Sequence, residues 1–109
     1  MPGKWEEYID KLKDEGGTLA KAELKALVNN AKADSEQFIK EQGQKMERYL
    51  NQLAAGEITK AQFEGYMVDI RELTKMKERE LSVAAKAKAQ KIAKGITDYV
   101  INGVLALLK

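Results

Sequence analysis

Apolar residues recur along most of the chain at a spacing close to 3.6, and nowhere with the alternation of a half-buried strand, so the pattern predicts helices throughout. A short first helix is expected over 4–15, where Trp5, Tyr8, Ile9 and Leu12 share one face and Gly16-Gly17 closes it. A second stripe runs from Leu24 through Leu27, Val28, Ala31, Phe38, Ile39, Met46, Leu50 and Leu53, predicting a long helix over 19–55 with Thr18 as its N-cap. Its polar stretch at 29–35 allows a break, because Asp34 and Gln37 are spaced as a capping box for a restart. A third stripe, from Phe63 through Met67, Ile70, Leu73, Leu81, Ala85 and Ile92, predicts a helix over 60–94. Beyond Gly95, Thr97 is placed to cap a short helix over 98–108; the alternative is a single helix continuing from the third.

Several independent rules agree at the turn between the second and third helices. Gly56 can take the left-handed conformation that closes a helix, Thr59 and Gln62 form a Thr-x-x-Gln capping box, and Ile58 with Phe63 occupy the staple positions around it. The pattern Leu50, Leu53, Gly56, Ile58, Thr59 and Phe63 resembles the turn of the short C-terminal (SHOCT-type) helical hairpins over about fourteen residues, which implies a helical hairpin that self-associates. Gln62 stands where that pattern has an acid, and the turn here lies in the middle of the chain.

The expected fold is therefore all-α: a long antiparallel helical hairpin with a short N-terminal helix and room for a short C-terminal one, a three- to four-helix bundle in a single domain over 1–109. A continuous second helix of this length would extend ~54 Å at ~1.5 Å per residue. In that arrangement the residues after Gly95 overhang the bundle end, and they are apolar on more than one face. They can fold back into the core, pack on another subunit, or touch a membrane surface.

Composition narrows the chemistry more than it directs it. The chain has no histidine and no cysteine, which excludes imidazole and thiolate metal ligation and histidine-based catalysis. Ser35 and Ser82 sit in no nucleophile motif, and the glycines form no phosphate loop. No catalytic residue, cofactor, metal or small-molecule substrate is expected, and the reading is non-enzymatic. The net charge of +2 is too small to mark a nucleic-acid binder. Four lysines without an intervening acid, Lys86, Lys88, Lys91 and Lys94, lead into the apolar end of the chain, a layout that also suits an anionic surface.

The leading expectation is a non-catalytic interaction or assembly protein, binding another protein or itself as a homo-oligomer. Its candidate contacts are Ile96, Tyr99, Val100, Val104, Leu107 and Leu108, with Trp5 as either a partner anchor or a core residue pinning the first helix. The alternatives are a membrane-surface protein using 86–108 and, least favoured, a weak nucleic-acid-binding module. The N-terminus has no basic region followed by an apolar core, so a cytoplasmic location is expected.

Overall fold

The computed structural model describes residues 4–12 and 19–107. Five α-helices follow one another: α1 (Lys4–Asp10), α2 (Leu19–Lys32), α3 (Gln37–Ala54), α4 (Lys60–Lys77) and α5 (Val83–Gly95). The last continues unbroken through a π-helical segment, Ile96–Val104, into one α-helical turn, Leu105–Leu107. The fold is all-α, with no strand among the described residues. The expected Gly16-Gly17 stop, the Thr18 cap and Leu108 lie outside the described residues, as does the side chain of Leu107.

The α3–α4 corner forms as its sequence dictates. Gly56 adopts φ 76°, a conformation that a side chain would strain. Thr59 Oγ1 accepts the amide of Gln62 at 3.1 Å, and the Gln62 side chain accepts the Thr59 amide at 2.8 Å, so the capping box closes in both directions. Phe63 is buried and Ile58 packs against the core beside it. One turn further from the corner, Tyr49 on α3 stacks on Tyr66 on α4 with ring centroids 4.5 Å apart.

The two long helices expected from the stripes are each interrupted. Between α2 and α3, Asp34 Oδ1 accepts the Glu36 amide at 2.8 Å and stabilises a turn. Glu36 then caps α3 by accepting the Phe38 amide at 3.2 Å. The break thus falls at the permitted place, but the cap is Glu36 in place of Asp34, whose other oxygen is held by Lys88 at 2.9 Å. The expected continuous helix over 60–94 is corrected more substantially. It stops at Lys77, passes through a 3-10 turn at Glu78–Glu80, becomes extended at Leu81 and restarts where Ser82 Oγ accepts the Ala85 amide at 3.2 Å. A serine hydroxyl offers the backbone a partner outside the helix, and residues 75–80 bury no apolar side chain that would hold a straight helix to the core.

These breaks fold the chain back on itself. The greatest extent of the molecule is 39 Å, too short for the expected ~54 Å hairpin. α3 packs between α2 and α4, α5 returns along α4, and α1 lies on α3. The α2–α3 crossing is close at Gly43, where an added Cβ would stand 2.6 Å from the Lys32 amide nitrogen and 2.8 Å from Ala31 Cβ.

The overhang does not form, because the π-helical segment packs against α2 and α4 and completes the core. Ile96, Val100 and Val104 are fully buried. With Ile92 they are spaced by four, a step that overshoots one turn of an α-helix by ~40°. The wider π turn undershoots instead, so the change of helix type at Ile96 keeps the four side chains on one side. Gly95 is mid-helix at φ −63°, ψ −38° and ends nothing. Thr97 is not a cap either; its hydroxyl accepts Arg71 Nη1 at 3.0 Å and thereby ties the segment to α4.

Candidate functional site

With the C-terminal segment inside the core, most of the expected contact residues lie where no partner reaches them. Ile96, Val100 and Val104 face α2 and α4, and Trp5 is a core residue that pins α1 to α3. The Trp5 backbone amide donates to Asn51 Oδ1 at 3.2 Å, and its indole NH donates to Glu47, which also pairs with Lys32. The lysines divide as well. Lys86, Lys91 and Lys94 are exposed and form no ion pair among the described residues, whereas Lys88 is committed to Asp34. The buried side of α5 is Ala85, Ala89, Ile92 and Ala93, so the apolar residues on that side of the helix are turned to the core and not to a membrane.

Of the expected contacts whose side chains are described, Tyr99 alone stands at a feature of the surface. It lines a groove of about 240 Å³ where α2 and α5 diverge. The spacing of residues on both helices builds it. Leu27, Ala31 and Ile92, with Ile39 from α3, are buried and form the floor, while Glu23, Ala26 and Asn30 on one side face Lys88, Lys91 and Tyr99 on the other. Gly95 lets Leu27 lie across the helix, since a Cβ there would come 2.6 Å from Leu27 Cδ2.

The electrostatics of the groove are set by one closed pair and two unpaired charges. The Lys88 ammonium, together with the Glu36 amide, holds the Asp34 carboxyl below its ordinary value. This contribution to stability is present above the ordinary carboxylate range and lost as pH falls through the lowered value. Lys88→Gln is accordingly expected to move the Asp34 titration, followed by carboxyl NMR shifts, upward towards its ordinary value; an unchanged titration would contradict the assigned cause. Glu23 and Lys91, on opposite rims, have no ion-pair partner among the described residues.

This arrangement supplies apolar contact and oriented charge. It brings together no three metal-ligating side chains among the described residues. No helix among those residues is long and apolar enough to cross a membrane. The groove itself was absent from the sequence-level expectations, because its rims come from helices that are adjacent only once the breaks at 33–36 and 78–82 are in place. The stripe Glu23, Leu27, Asn30 on α2 was its one visible signal. No protein-family model, curated protein or solved structure matches the chain.

Proposed function

We propose that the protein is a non-catalytic assembly protein that self-associates through the α2–α5 groove. The observation that carries this reading is the opposed pair of unpaired charges, Glu23 and Lys91, across an apolar floor. A two-fold axis through such a groove sets each Glu23 against Lys91 of the second copy, so the surface is complementary to itself. The volume of about 240 Å³ lies below the ~300 to 1,000 Å³ usual for small-molecule sites, which supports a macromolecular occupant.

Light scattering coupled to size exclusion over a concentration series tests it. The wild-type chain is expected to shift from monomer to dimer with rising concentration. Glu23→Lys or Lys91→Glu alone should weaken the dimer about tenfold or more, and the double reversal should restore it, because opposed like charges are costly and re-paired ones are not. A chain that stays monomeric throughout, or a dimer indifferent to both single reversals, contradicts the proposal.

A further inference from the structure

Away from the groove, two large hydrophobic side chains among the described residues remain in solvent. Met76 is 74% exposed and Val83 is 88% exposed. They flank the Glu78–Glu80 turn, one at the end of α4 and the other in the first turn of α5, so both lie at the same end of the helix pair. From Val83 the solvent face of α5 continues through Ala87, Gln90 and Lys94 at helical spacing, with Lys86 beside it and no acid between Leu81 and Lys94. Arg79, Lys86 and Lys94 are exposed and have no ion-pair partner among the described residues. Of the two acids in the turn, Glu80 is engaged by Lys77 at 3.7 Å and Glu78 is half-buried.

We propose that this corner and the outer face of α5 form a peripheral contact for an anionic lipid surface. Cations beside projecting apolar side chains suit that occupant: the ammonium groups meet headgroup phosphates while Met76 and Val83 enter the acyl boundary. A sugar–phosphate backbone would satisfy the cations and leave the two apolar side chains without a partner. A second copy fits poorly, since the α5 part of the surface carries cations only and, placed against itself, opposes Lys86 and Lys94 to like charge.

Co-sedimentation with vesicles of equal parts phosphatidylcholine and phosphatidylserine, compared with phosphatidylcholine alone, tests the assignment. The full chain is expected to bind the anionic vesicles selectively and to be released by high salt. Met76→Ser/Val83→Ser, which keeps every charge, should lower vesicle affinity about tenfold or more with an unchanged circular dichroism melt. Lys86→Gln/Lys94→Gln should remove the preference for phosphatidylserine. The proposal is overturned if the double serine variant binds as well as wild type, if both vesicle types bind equally or neither binds, or if the chain retains duplex DNA in place of vesicles.

Discussion

Val100→Asp is expected to abolish cooperative folding. Val100 is fully buried in the π-helical segment, packed among core side chains contributed by α2 and α4. An unpaired buried charge belongs to the small class of substitutions that cost more than about 4 to 5 kcal/mol. Domains of this size hold only ~5 to 15 kcal/mol in total. The thermal melt followed by circular dichroism should lose its sigmoidal transition. Val100→Ala, which removes volume without adding charge, should lower stability by about 2 to 3 kcal/mol and leave a cooperative melt at lower temperature. If the segment were an exposed contact surface, the aspartate would be tolerated and only association would change.

The second large effect is expected at Gly43. An alanine Cβ there would meet the Lys32 amide nitrogen at 2.6 Å and the Ala31 carbonyl carbon at 2.9 Å, both backbone atoms that no side-chain rotation can move away. α2 and α3 must separate, and the loss should be about 3 kcal/mol, or a fall in Tm of roughly 10 °C or more. The same substitution at Gly65 gives the contrast. Nothing lies within 4 Å of a Cβ at that position, and exchanging glycine for alanine in an exposed helix interior should stabilise by roughly 0.5 to 1 kcal/mol. Opposite shifts of Tm for the two alanine variants would confirm that the close approach, and not a general glycine effect, governs position 43.

Elements whose determinants are local were legible in the sequence. Gly56, Thr59, Gln62 and Phe63 lie within eight residues of one another, and the corner they predict has the expected bonds. The break near Asp34 was visible because a polar run interrupts the stripe there. A comparable run, Lys75 to Glu80, precedes the unforeseen break at Ser82, and Ser-x-x-Ala before an alanine-rich stretch is a cap signal that the long-period stripe concealed. The position of the C-terminal segment was not local at all. Its placement depends on the break at 78–82, which redirects α5 so that the segment reaches α2, and on the four-residue spacing of Ile92, Ile96, Val100 and Val104, which a π turn accommodates. The groove inherits the same dependence: Glu23 and Lys91 are far apart in the sequence and share a site only through that redirected helix.

The apolar C-terminal segment completes the core of a single chain, and the proposed association is therefore assigned to the α2–α5 groove. Amide hydrogen exchange measured by NMR at dilute and concentrated protein addresses it most directly. The π-helical bonds, such as Leu105 N–H to the Val100 carbonyl, should protect the amides of the segment to the same degree at both concentrations and as strongly as those of α2 and α3. Protection across 96–104 that emerges only as the chain associates would contradict the account and place the segment in an interface between copies.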